Sequence, residues 1–134
     1  VTILLVEDHV PTRDELRRLL ECQPDMQIIA ETGCGEEALQ MTRLLRPEII
    51  IMDILLPGMN GLETIRQLRD EHPATRILTL SNHYGASLVQ AVLAAGSLGY
   101  VRKSRAFEEL IPALRAVTAG RQHVDQRLLA GTNA

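Results

Sequence analysis

Five side chains in this sequence could serve one reaction: Glu7, Asp8, Asp53, Ser81 and Lys103. Each stands where a short apolar run ends. Ile3 to Val6 precedes the acid pair, Ile49 to Met52 precedes Asp53, Arg76 to Leu80 precedes Ser81, and Leu98 to Val101 leads through Arg102 to Lys103. Carboxylates gathered at one place disfavour one another's ionisation. A hard divalent ion with oxygen ligands, most naturally Mg2+, removes that cost. Lys103 adds a mobile point charge suited to a phosphoryl oxygen or to Asp53 itself. Taken singly, each residue has an ordinary explanation: Asp53 a helix cap, Glu7-Asp8 a solvated helix entry, Lys103 a surface lysine. The fold must decide whether they meet.

The elements that would carry them alternate strictly. Strands are expected at Thr2 to Val6, Met26 to Glu31, Ile49 to Met52, Arg76 to Leu80 and Leu98 to Val101. The third, four apolar residues between Pro47 and the Pro57-Gly58 break, reads as a strand buried on both faces. Helices are expected from Pro11 to Cys22, from Gly35 to Leu45, from Asn60 as N-cap with Glu63 through Arg69, and over Leu88, Val92 and Ala95 up to Gly96. A last helix is expected behind a Ser104 cap, with Phe107, Leu110, Leu114 and Val117 inward and Gly120 at its end. Pro112 inside it predicts a kink. Gly58 and Gly61 serve turn geometry.

Strict βα alternation predicts an α/β, flavodoxin-like (βα)5 fold: a doubly wound parallel five-stranded sheet in the order 2-1-3-4-5. All parallel strands then deliver their carboxyl ends to one edge, and the five candidate residues converge there. Residues 1–120 make one domain. Residues 121–134 read as a polar C-terminal tail or the start of a linker.

Composition narrows the rest. The 134 residues are 46% hydrophobic with no Trp, one Phe and two Tyr, so the core must be aliphatic. A net charge of −3 argues against nucleic-acid binding by this chain's own field. No apolar run is long enough for a membrane span. Cys22 and Cys34 lack metal-ligand spacing and form no disulfide framework, which fits a reducing cytoplasm. The chain opens on Val1, already inside a strand, so a longer parent protein is expected.

Val6-Glu7-Asp8, Met52 to Gly61 (Met-Asp-Ile-Leu-Leu-Pro-Gly-Met-Asn-Gly), Leu80-Ser81 and Gly99-Tyr100-Val101-Arg102-Lys103 resemble the receiver domain of two-component response regulators. Ser81-Asn82-His83 and the stretch from Gly96 to Ser104 look most like the NarL/FixJ (LuxR-type) subfamily. The resemblance covers about residues 2 to 120. It implies a bacterial, cytoplasmic phosphoprotein in which Asp53 accepts a phosphoryl group from a sensor histidine kinase. Asp8, Asp53 and the Leu55 backbone carbonyl would bind Mg2+ (or Mn2+), with Glu7 acting mainly through water. Ser81 and Lys103 would contact the phosphoryl oxygens, and Tyr100 would be the aromatic that moves on activation. Partners implied are the kinase, a helix-turn-helix output domain for transcription control outside this chain, and a second copy on phosphorylation. Such a domain catalyses only its own phosphorylation and slow dephosphorylation.

The sequence departs from the family pattern in two places. Ser104 follows Lys103 where a proline is common, and Leu55, two residues after Asp53, is apolar. Leu55 also weighs against an aspartate-nucleophile phosphohydrolase, which needs a second acid there. A flavin or nucleotide module of this topology would want a Gly- or Ser/Thr-rich first loop, and Glu7 to Pro11 is acidic instead. A receiver-shaped interaction domain that is never phosphorylated usually lacks one of the acids or the lysine, and all are present here.

Overall fold

The computed structural model describes residues 1–58, 60–83 and 85–129. Strands β1 (Thr2–Val6), β2 (Gln27–Thr32), β3 (Ile49–Met52), β4 (Arg76–Ser81), β5 (Gly99–Arg102) and β6 (His123–Val124) form one sheet in the order β2-β1-β3-β4-β5-β6. Every ladder is parallel. The crossovers carry helices α1 (Val10–Glu21), α2 (Gly35–Leu45), α3 (Gly61–Glu71), α4 (Ala86–Ala95) and α5 (Ala106–Thr118), and α6 (Gln126–Leu129) follows β6.

The period of two along each strand sorts the core into two layers. Leu4, Val6, Ile50 and Met52 face one side, with Ala38 and Leu39 of α2, Ile65 and Leu68 of α3, and Val89 and Val92 of α4. Ile3, Leu5, Ile49 and Ile51 face the other, with Leu16 and Leu20 of α1 and Leu110, Leu114 and Val117 of α5. β3 is buried throughout, as its uninterrupted apolar run requires.

The expected order of five strands is present, and a sixth strand extends it. Arg121 to Ala134 read as a polar tail. In its described part it pairs beside β5, Gly99 with His123 and Tyr100 with Val124, and Leu128 is 4% exposed in the core. Residues 130–134 of that expected tail lie outside the described residues.

The start of α5 departs from expectation. Phe107 is 83% exposed, although its spacing puts it on the inward stripe. Phe107 borders an open cleft that Leu16 and Leu19 of α1 and Leu80 of β4 also line. Ser104 does not cap the helix: it sits in a 3-10 turn, Lys103–Arg105, and the Ala106 N–H is bonded to the Lys103 carbonyl instead. Pro112 lies on the exposed side, and α5 runs unbroken past it.

The loop after β3 follows its turn residues. Gly58 has φ +86°, a left-handed conformation that glycine adopts freely. Asn60 Oδ1 accepts the N–H groups of Leu62 at 2.8 Å and Glu63 at 3.4 Å, so the N-cap is as expected. Glu63 itself lies 3.7 Å from Arg66. A Cβ on Gly61 would fall 2.1 Å from the Ile54 carbonyl oxygen, so α3 can start this close to the loop only with glycine.

Candidate functional site

Strand register builds the site. Val6 pairs with Met52, so the next residues, Glu7 and Asp53, emerge side by side, and the Asp53 N–H still donates to the Val6 carbonyl at 3.2 Å. Glu7 and Asp53 are only 2% and 7% exposed, whereas Asp8 is open to solvent. One carboxylate oxygen from each of the three lies within 4.8 Å of the others. Gly33, in the loop after β2, crowds this edge: a Cβ there would sit 3.0 Å from the Asp8 Cα.

Lys103 arrives from two strands away. β5 ends at Arg102, opposite Ser81 of β4, and the long lysine stem crosses back over β4 to the acids. Its Nζ lies 2.5 Å from Glu7 Oε1 and 2.6 Å from Asp53 Oδ2. Burial works against the ammonium, but the hydrogen bonds to Asp53 and then Glu7 outweigh it, so the Lys103 pKa stands above its ordinary value. The remaining oxygens are also held. Asp53 Oδ1 accepts the Leu55 N–H at 3.0 Å, Glu7 Oε2 accepts the His9 N–H at 3.1 Å, and Arg13 donates to the Glu7 carbonyl at 3.1 Å.

Three carboxylates face one ammonium, so the cluster keeps an excess of negative charge and offers only hard oxygen donors, one of them exposed to water. That donor chemistry fits a hard divalent cation.

Ser81 is buried at the end of β4, and its Oγ accepts the His83 N–H at 3.1 Å. Tyr100 is fully buried, and its hydroxyl donates to the His83 carbonyl. Burial pushes the phenol pKa up, the Asp53 charge adds to that, and the Ser81 hydroxyl opposes it. Ser81 and Tyr100 therefore meet through one loop residue. The structure thus brings Glu7, Asp8, Asp53 and Lys103 together, sets the Leu55 backbone against Asp53, and lays Ser81 and Tyr100 along one side.

Sequence reasoning passed over the supporting residues. His9 and Arg13 act on Glu7 through backbone groups, which no side-chain pattern announces. One signal was available: Lys103 is the only lysine among the 14 Lys and Arg residues of the chain. A compact ammonium is kept at the one position where a planar guanidinium would serve poorly.

The response regulator receiver domain model matches residues 3–115. The transcriptional activator protein ExaE of Pseudomonas putida is 40% identical over 126 residues, covering 94% of this chain and 59% of that protein. The nitrate/nitrite response regulator protein NarL of Escherichia coli K12 is 34% identical over 127 residues, covering 95% and 59%. The chain thus spans about three-fifths of the length of these curated relatives. Among solved structures, a two-component response regulator of the LuxR family from Aurantimonas sp. SI85-9A1 superposes with a TM-score of 0.92 at 36% identity, covering 96% of this chain and 94% of that one. By these matches the chain belongs to the response regulator receiver domain family, in its NarL/FixJ (LuxR-type) branch.

Proposed function

We propose that this chain is a phosphorylation-controlled switch: Asp53 takes a phosphoryl group from a sensor histidine kinase, and the change regulates an attached DNA-binding output domain. The observation that carries the reading is the Asp53 carboxylate itself, held at a strand end by Lys103 Nζ and the Leu55 N–H, beside two further acids. In the transfer, an Asp53 oxygen bonds to phosphorus as the P–N bond of the phosphohistidine breaks. The leaving nitrogen keeps the electron pair, and because the other ring nitrogen of the phosphohistidine carries a proton, the ring departs as neutral imidazole. Lys103 and the Ser81 hydroxyl stabilise the phosphoryl oxygens, where a loose transition state carries its charge. Asp8, Asp53 and the Leu55 carbonyl, with Glu7 through water, would hold Mg2+ or Mn2+, which supplies further positive charge against those oxygens.

A phosphohydrolase reading is weaker, because Leu55 offers no acid to protonate a leaving group. Residues 1–120 form the phosphoacceptor unit in this reading, and the segment from 121 onward leads toward the output domain. Transcription control accords with the printed names of the relatives. A cytoplasmic location and a homodimer on phosphorylation go with the same reading. No described helix is long and apolar enough to cross a membrane.

Intact mass after incubation with Mg2+ and acetyl phosphate tests the proposal. Wild type gains one phosphoryl group, Asp53→Asn gains none, and excess chelator suppresses the gain. Label on another residue, or label that survives chelation, overturns it.

A further inference from the structure

The segment that joins the sheet as β6 and then turns into α6 meets the protein through several contacts, and two of these lead back to Asp53. The first link runs through Ser81 and Tyr100. Ser81 Oγ holds the His83 N–H, the His83 carbonyl holds the Tyr100 hydroxyl, and Tyr100 is the register partner of Val124 on β6. The second link runs through Lys103. Lys103 and Arg105 share one 3-10 turn, Arg105 Nε lies 2.5 Å from Glu109 Oε2, and Glu109 Oε1 lies 3.6 Å from His123 Nε2. The links end on adjacent residues, His123 and Val124. Leu128 is also buried among core residues that include Val89 and Val92 of α4, with Val124 and Leu129 packed against the same cluster.

We propose that residues 121–129 are a detachable strap across α4, β5 and the start of α5, and that phosphorylation of Asp53 loosens it. The inference rests on Asp53 being the phosphoacceptor. A phosphoryl group brings a charge of about −1.5 to −2 and new acceptor oxygens beside Lys103 and Ser81. Lys103 is drawn off Glu7, and the Ser81 hydroxyl turns to donate to the new oxygens. Each movement pulls on a short link whose far end is the strap.

The body cannot yield easily, because its central strands are buried between two apolar layers. The strap can. It is held by a two-residue ladder that includes the His123 N–H to Leu98 carbonyl bond at 3.1 Å, by the Arg121 N–H to Ala116 carbonyl bond at 2.8 Å, by the Glu109–His123 contact, and by Leu128 with Val124 and Leu129 packed on the core. Segments with few buried contacts open locally at a fraction of the global free energy. The displacement is therefore taken up at the strap, and the residues that follow it sense the state of Asp53.

Hydrogen exchange on the whole chain tests this, with intact mass read on the same sample. With acetyl phosphate and Mg2+, the amides of His123, Val124 and Leu128 exchange several-fold faster once label is present, while β1 peptides do not change. Asp53→Asn under the same conditions shows no acceleration. Glu109→Gln cuts one link outside the phosphorylation site: it labels at the wild-type rate, its strap exchanges faster before labelling, and labelling adds less. Its β1 exchange checks that it is folded. Full labelling with unchanged or slower strap exchange overturns the strap while leaving the phosphoacceptor reading intact, as does a Glu109→Gln strap that exchanges like wild type before labelling. Absence of label overturns both.

Discussion

Lys103 sets the charge balance of the site. It lies against two buried carboxylates at 2.5 and 2.6 Å, so removing it leaves Glu7 and Asp53 facing each other without a cation. Lys103→Met should cost about 3 kcal/mol, the low end for breaking a buried pair. Mg2+ should restore part of that loss in chemical denaturation. Stability equal to wild type without Mg2+ would show that the acids do not depend on Lys103. The sign with pH follows from the raised pKa. A group whose pKa is higher when folded contributes fully below its unfolded value, about 10.4, and the contribution fades as pH rises through the folded value. Wild type should therefore lose more stability than Lys103→Met as pH rises above about 10.4.

Leu55 belongs to the same scale. Its side chain is 55% exposed beside Asp53 while its N–H holds Oδ1. An apolar group there shields a phosphoryl group from water, and Leu55→Asn should shorten the lifetime of the aspartyl phosphate. Decay followed by intact mass checks this. A lifetime equal to or longer than wild type refutes the shielding.

Among the elements, the loop from Asp53 to α3 has least room. Gly61→Ala would force a methyl to 2.1 Å from a backbone oxygen that no rotamer can move. The cost should be about 3 kcal/mol, the upper range for overpacking, and thermal unfolding would read it. An unchanged midpoint would mean that the helix start can back away freely.

The same elements show what sequence can and cannot carry. β1 and β3 were legible because a buried parallel strand needs an unbroken apolar run, and the acids were legible because those runs end at them. Asn60 was legible because its cap is made by its own side chain. Ser104 was not, because the start of α5 is set by a 3-10 turn whose bonds are all backbone. Phe107 misled because spacing reports the face of a helix but not whether that face is covered: the cleft it borders stays open. β6 was missed because two half-buried residues, one of them histidine, leave no alternation to detect. The ion pairs of Lys103 depend on register between separate strands, and that exists only once the sheet has formed.

At the scale of the whole molecule, the sheet is an anvil with chemistry on one edge and the strap on its flank. Truncation after Gly120 tests how far the folded unit extends. The shortened chain should still fold, because both apolar layers remain nearly complete. It should melt lower, since losing the seat of Leu128 removes about 1.5–3 kcal/mol of burial, or roughly 5–10 °C for a domain of this size. An unchanged midpoint would show that residues 121–129 add nothing to the packing. Failure to fold would put the domain boundary beyond them.

The solitary lysine has a further use. Lys103 is the only residue of its type in the chain, and its ammonium touches both buried acids. Isotopic labelling of the lysine Nζ alone therefore yields a single ammonium resonance, located at the acid cluster and free of overlap. Its chemical shift would follow metal titration and phosphoryl arrival in real time, without any probe being attached to the protein.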